Sequence, residues 1–244
     1  MARYINIHET ASTNTYLARM ATMLPSGTVI YTHHQSAGRG QRGNSWEAEP
    51  GKNLTFSMLV KNPPVAPAAQ FCISEAVSLA IVEFLSQYAT GFSVKWPNDI
   101  YHGDRKICGI LIEHSLCGNV INHTIIGVGI NINQVEFRSD APNPVSLAQI
   151  IGRDIQLEEA LRDVCSRIEA CVASLGDIEA TTSLHGRYLQ SLYRRDGKLH
   201  DFILPSGERF RATIDDVQPT GTLILGHENG TVRGYAFKEV AFVL

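Results

Sequence analysis

Between residues 157 and 175 apolar side chains recur every three or four positions, at Leu157, Leu161, Val164, Ile168, Val172 and Leu175. That is the spacing of one buried stripe on an α-helix. Leu184, Tyr188 and Leu192 repeat the interval and predict one more helix. Residues 67–88 are apolar at most positions, interrupted by a polar stripe at Gln70, Ser74 and Ser78, with a proline at the start. They predict a long helix that covers a sheet and is largely buried. A shorter helix is expected to run from the N-cap Ser12-Thr13-Asn14 to about Met23. Strand character appears at 28–33, 53–61, 99–102, 106–114 and 122–131, the third and fourth flanking a turn at Asp104-Arg105.

Two stretches break these periods. Residues 35–52 are rich in glycine and polar groups with little periodicity, the mark of a long loop, and such loops in compact domains often carry function. After Arg195 the turn signals crowd together: Asp196-Gly197, Pro205-Ser206-Gly207, Pro219-Thr220-Gly221 and Glu228-Asn229-Gly230, between short β-prone runs. That spacing predicts a small all-β barrel over 196–244, behind a larger domain of 1–195. The fold class expected is α+β, a mixed central sheet covered by helices plus the C-terminal barrel.

Composition narrows the function. At 244 residues and 44% apolar, the chain can bury one sizeable core and a smaller appendage. Its net charge of −3 and 18% charged residues argue against a general nucleic-acid or membrane footprint, which needs a basic excess. No apolar core of signal-peptide length follows Met1, and no later stretch is apolar enough to span a bilayer. The five cysteines, an odd number without paired short spacing, read as reduced thiols rather than a disulfide framework or a zinc site. The expectation is a cytoplasmic protein.

Three segments carry candidate chemistry. Gly38-Arg39-Gly40-Gln41-Arg42-Gly43 offers backbone N–H groups that approach a ligand closely and two guanidinium groups that clamp phosphate or carboxylate. It lacks the ending of a Walker loop and the spacing of the dinucleotide fingerprint. Alone it is a weak signal, read more readily as an ordinary solvated loop. Lys95-Trp96-Pro97-Asn98-Asp99, followed by Arg105-Lys106-Ile107-Cys108-Gly109-Ile110, gathers two lysines, a carboxylate and an amide near a strand pair; the plain alternative is a hairpin with solvated lysines. By strict alternation Lys106, Cys108 and Ile110 share one face. Gly127-Val128-Gly129-Ile130-Asn131 places glycines inside a β-prone run, which marks a bulge or the close approach of a ligand or backbone. His33-His34 has no further metal ligand at suitable spacing.

Taken in order, Ser12-Thr13-Asn14, Gln35-Ser36-Ala37 with the Gly38 loop and Trp46, the Lys95 and Lys106 segments and Gly129-Ile130-Asn131 resemble the catalytic core of the biotin–protein ligases. The resemblance covers about residues 10–135, and more loosely the C-terminal barrel. It implies the class II synthetase-like core of that family, in a monofunctional form, since the motif at Ser12 leaves no room for a DNA-binding domain ahead of it. By resemblance Ser12, Thr13, Asn14 and Gln35 hold the ureido ring of biotin, a neutral group that hydroxyls and amides satisfy. Gly38, Arg39, Gly40, Gln41 and Gly109 line the biotin, and Lys106 reaches its carboxylate. Trp46 stands near the adenine, and Arg39, Arg42, Asn98, Lys106 and Asn131 serve the nucleotide. Asp99 matches the aspartate beside the incoming lysine, so Arg39, Lys106 and Asp99 form the catalytic set. Many relatives carry arginine where this chain has Gln41.

The implied reaction joins biotin to ATP as biotinyl-adenylate, with Mg²⁺ bridging phosphates, and then passes biotin to a lysine of a biotin carboxyl carrier protein or domain. No DNA or membrane partner is expected, and pairing into a homodimer is left open. A lipoate ligase or octanoyl transferase of the same fold is the nearest rival, its transferase branch requiring a cysteine nucleophile for which Cys108 alone is suitably placed. A ligand-responsive repressor and a non-catalytic biotin-binding module are the others.

Overall fold

The structure, a computed structural model, describes residues 3–41, 44–138 and 143–243. Its main sheet begins with β1 (Arg3–Thr10), which α1 (Thr13–Met20) links to a parallel partner, β2 (Thr28–Gln35). Then come β3 (Leu54–Lys61), α2 (Phe71–Ser86), β4 (Phe92–Lys95), β5 (Asp99–His102), β6 (Arg105–Cys117) and β7 (Val120–Ile130). The seven strands lie in the order β1-β2-β3-β7-β6-β5-β4, antiparallel except for the first pair. A short α3 (Leu147–Ile151), α4 (Leu157–Ala173) and α5 (Ile178–Gln190) follow.

The two faces of this sheet are filled unequally, and that positions the site. On β7 the even positions Ile126, Val128 and Ile130 join the main core with Phe84 and Ile81 of α2 and Val164 and Ile168 of α4. The odd positions Ile125, Gly127 and Gly129 face the other way, as the two-residue period of a strand requires. There α1 covers only one end, with Leu17 packed on Ile30, Leu59 and Ile125. Beyond it, glycines at 109, 127 and 129 and the small polar Thr55 and Ser57 leave the face open. Each buried Leu, Ile or Phe of the filled face contributes roughly 1.5–3 kcal/mol. The open face gives up that stabilisation and gains room.

The expected helices and strands are present, with three additions and two corrections. β1, β4 and α3 had no clear signal in the sequence, and Leu192 lies beyond the end of α5, beside β4, where Val94 N–H donates to the Ser191 carbonyl. The first correction concerns parity. Tyr101 pairs with Lys106 but Ile100 with Cys108, so Ile107 is an extra residue on β6. This bulge turns Lys106 onto the open face with Gly109 and Leu111, away from the face shared by Cys108 and Ile110.

The second concerns the barrel. Residues 200–242 form β8 (His200–Ile203), β9 (Arg209–Val217), β10 (Leu223–His227), β11 (Val232–Tyr235) and β12 (Ala241–Phe242), in the order β11-β10-β9-β8-β12. This antiparallel sheet is open: its edges β11 and β12 do not pair. Closure needs strands long enough to tilt and stagger around an axis, and these edges have four and two residues. The sheet instead buries Phe202, Ile214, Val217, Leu223 and Leu225 in one continuous core with the main sheet. Polar contacts fix the seam. Trp96 Nε1 donates to the Gly221 carbonyl at 3.0 Å, and His185 bridges Glu75 on α2 at 2.9 Å and Asp216 on β9 at 3.2 Å.

Candidate active site

A cavity of about 520 Å³ occupies the open face. Its floor is Thr55, Gly109, Leu111, Gly127 and Gly129; Ser12 to Asn14 with Gln35, Arg39 to Gln41 and Asn44 to Trp46 wall one side, and Phe237, Lys238 and Phe242 from the C-terminal segment wall another. The glycines are sterically required. A side chain on Gly127 would run into the Asn14 carboxamide, and one on Gly129 into the Trp46 indole.

One pole of the cavity is neutral and rich in hydrogen bonds. Ser12 caps α1 by accepting from the Thr15 N–H, which aims Thr13 and Asn14 across the sheet. Thr13 N–H donates to Gln35 Oε1 at 2.9 Å. Ser57, buried on β3, donates to the Thr13 hydroxyl at 2.8 Å or to Asn14 Oδ1 at 2.5 Å. Asn14 Nδ2 in turn donates to the Leu111 carbonyl at 3.1 Å and to Glu113 at 2.8 Å.

The other pole is charged. Lys106 pairs with Asp99 at 2.7 Å, both mostly shielded from solvent. Its ammonium also stands 5.8 Å from the Trp46 ring centroid. Lys95, opposite Asp99 in the register of β4 and β5, faces the same cavity. Burial lowers its pKa below the ordinary lysine range; Asp99 opposes that shift while Lys106 and Arg194 add to it. Arg39, on the loop, lies nearer the neutral pole: it holds both oxygens of Glu113, at 2.6 and 2.7 Å, beside the bond from Asn14. Asn98 Nδ2 donates to the Ile110 carbonyl at 2.6 Å, and the Asn98 carbonyl accepts from Ile110 N–H.

The structure therefore gathers Ser12, Thr13, Asn14, Gln35, Arg39, Gly40, Gln41, Trp46, Asn98, Asp99, Lys106 and Gly109 around one space. Two residues singled out in the sequence, Gly38 and Asn131, are not among its described walls. Gly38 lies behind the loop, where a side chain would strike the Trp46 carbonyl and the Gln35 amide. Asn131 is buried past the end of β7, with Nδ2 donating to the Val145 carbonyl and Oδ1 without a hydrogen-bond partner among the described residues. Arg42 lies outside the described residues. Sequence reading passed over Glu113, Ser57 and the aromatic wall from the C-terminal sheet. Glu113 was within reach of a period-two count from Gly109, whereas the C-terminal residues share no local pattern with the site.

Cys108 is fully buried, and burial pushes its thiol well above the ordinary range. The thiolate a nucleophile needs is disfavoured there. Among the described residues no group of three or more His, Cys, Asp and Glu is placed to hold a metal ion, and no helix is long and apolar enough to cross a membrane.

Comparison with known proteins bears on this geometry directly. The model of the biotin/lipoate A/B protein ligase family matches residues 7–131. The bifunctional ligase/repressor BirA of Escherichia coli (strain K12) is 38% identical over 122 residues, which are 50% of this chain and 38% of that protein. The biotin–[acetyl-CoA-carboxylase] ligase of Paracoccus denitrificans is 30% identical over 159 residues, 62% of this chain and 65% of that one. The matches thus span less than two thirds of either relative's length. In fold, the chain is similar to the biotin protein ligase of Aquifex aeolicus solved with biotin and ATP, with a TM-score of 0.79 at 23% identity, covering 99% of this chain and 98% of that one. The family match runs from within β1 to just past the end of β7, the strands that build the cavity floor included, and the chain belongs to the biotin/lipoate A/B protein ligase family.

Proposed function

We propose that the protein is a cytoplasmic, ATP-dependent biotin–protein ligase, which forms biotinyl-adenylate and passes the biotinyl group to a lysine of a biotin carboxyl carrier domain. The observation that carries this reading is the pairing of poles in one cavity: neutral donors and acceptors at Thr13, Asn14, Gln35 and Ser57, and cations at Lys106 and Lys95 across a glycine floor. A cyclic urea presents two N–H donors and one carbonyl acceptor without charge, and the neutral pole matches it. A linear acyl chain offers no hydrogen-bond partner to this set, which then gives it no orientation. This favours biotin over lipoate, and the buried thiol of Cys108 weighs against the octanoyl transferase branch. We take residues 1–195 as the catalytic biotin- and ATP-binding unit and 196–244 as a smaller C-terminal unit, which contributes Phe237 and Phe242 to the cavity wall.

In the first step a carboxylate oxygen of biotin bonds to the α-phosphorus of ATP, and the bond to the bridging oxygen of pyrophosphate breaks. Two anions must meet. Lys106 neutralises the carboxylate and the developing charge on the α-phosphate, and Arg39 reaches the same centre once released from Glu113. Asp99 is the one acidic side chain among the described residues of the cavity wall, and it is committed to Lys106. The Mg²⁺ required to screen the phosphates therefore enters with the nucleotide as part of the substrate. Trp46, already lying on Gly109 and Gly129, supplies an aromatic face for the adenine. In the second step the acceptor amine attacks the acyl carbon, AMP leaves, and Asp99 takes up or orients the departing proton.

Incubating the chain with Mg·ATP, a carboxylase carrier domain and either biotin or lipoate tests the assignment. The expected product is a single biotinyl group on one carrier lysine, read by mass. Modification by lipoate alone would transfer the assignment to the rival activity.

A further inference from the structure

The cations around the cavity are not in equivalent states. Lys106 and Arg39 each hold a carboxylate, at 2.7 and 2.6 Å. Lys95 makes no ion pair or hydrogen bond through its ammonium among the described residues. Asp99, its neighbour across the strand pair, gives its carboxylate to Lys106 instead. The Lys95 ammonium stands 5.1 Å from the ring centroid of Tyr101 and 5.2 Å from that of Phe242. Aromatic faces replace only part of the hydration that burial removes. The lowered pKa of this lysine is the signature of that deficit. A partly desolvated cation, compensated only in part by Asp99 and the two rings and opening on a cavity, has no anion bound directly to it.

Its place in the sheet says which anion. The neutral pole lies over β3, β7 and β6, Lys106 is on β6, and Lys95 is on β4, the last strand in the order. Adjacent strands are about 4.8 Å apart, so Lys95 lies roughly 10 Å beyond Lys106 on the side away from the neutral pole. We propose that Lys95 is a further substrate-binding residue of the adenylating step, holding the pyrophosphate end of the nucleoside triphosphate as it leaves. This rests on the ligase reading above. When the α-phosphorus bonds to the acid oxygen, the electron pair of the breaking bond goes to the bridging oxygen, and negative charge grows on the pyrophosphate. In its ammonium form Lys95 meets that charge, and the step requires no proton transfer. Phe242 belongs to β12, so the C-terminal sheet supplies half of the aromatic housing.

The test uses the full chain with Lys95→Met and Lys95→Arg. Binding of inorganic pyrophosphate with Mg²⁺, followed by calorimetry, is expected to weaken at least about tenfold in the Met variant and less than about threefold in the Arg variant. Biotin-dependent exchange should show the KM for pyrophosphate rising by a similar factor. Acyl transfer from preformed biotinyl-adenylate to hydroxylamine, which involves no pyrophosphate, should change less than about twofold. Loss of a cation whose burial is only partly compensated should leave the melting temperature of the Met variant unchanged or higher. Equal pyrophosphate affinity in parent and Met variant would overturn the proposal. So would equal losses in exchange and transfer, which mark a packing defect, or a parent chain that binds no pyrophosphate. A parent that binds pyrophosphate in a Lys95-dependent way but exchanges with no acid would sink the ligase reading and leave the anion site standing.

Discussion

Gly127 and Gly129 lie two residues apart on one face of β7, yet each guards a different part of the cavity. A methyl group at 127 displaces the carboxamide of Asn14, whereas one at 129 displaces the indole of Trp46. Shifts near 1 Å in positioning groups can cost about a hundredfold in rate. Gly127→Ala is therefore expected to raise the KM for biotin by about 10–100-fold with the KM for ATP nearly unchanged, and Gly129→Ala to do the reverse. Steady-state exchange kinetics on the two variants separates them. The same loss on both substrates in either variant would mean the floor acts as a whole rather than residue by residue. These glycines stood out in the sequence because they interrupt a β-prone run, and so did Ser12-Thr13-Asn14, whose capping role and site role coincide. Ser57 and Glu113 did not stand out, since a serine or glutamate on a strand is ordinary until its cross-sheet partners are known.

At the scale of elements, the loop between β2 and β3 is tethered by the Arg39–Glu113 pair, with side chains 46% and 40% exposed. An exposed pair of this kind contributes at most about 1 kcal/mol. Glu113→Gln should shift the melting temperature by no more than about 2–4 °C, while making the loop a faster target for trypsin at Arg39. Unchanged cleavage would show that other contacts hold the loop. Most elements were legible because their hydrophobic periods are long: α4 keeps its stripe over five turns, and α2 is apolar almost throughout. β1 was not, because its mixed exposure gives no alternation, and β4 has only four residues. The bulge at Ile107 was also hidden, since nothing in Arg105-Lys106-Ile107-Cys108 announces an extra residue; it appears only against the register of β5. Closure of the C-terminal strands was misjudged for a related reason. Turn spacing counts strands but does not say whether their edges meet.

The molecule as a whole is held together across its two sheets by His185, set between the buried Glu75 and the half-exposed Asp216. Burial raises the Glu75 carboxyl above its ordinary 4.5; the hydrogen bond and charge of His185 offset part of this, and Asp216 adds to it. A raised carboxyl contributes its stability in full below the ordinary value and loses it as pH rises through the folded one. Glu75→Gln keeps an acceptor for His185 but cannot ionise. Its melting temperature relative to the parent should accordingly improve between pH 4 and pH 7; a difference constant across that range would show that Glu75 stays neutral or is well compensated. The central claim concerns the cavity, where a neutral pole and a cationic pole imply activation of a urea-bearing acid by a nucleotide. Biotin-dependent exchange of labelled pyrophosphate into ATP, run beside lipoate and octanoate, tests it most directly. Exchange with biotin alone, abolished by Lys106→Ala, is the predicted result. Exchange with lipoate or octanoate but not biotin, or undiminished exchange by the Lys106 variant, would contradict it.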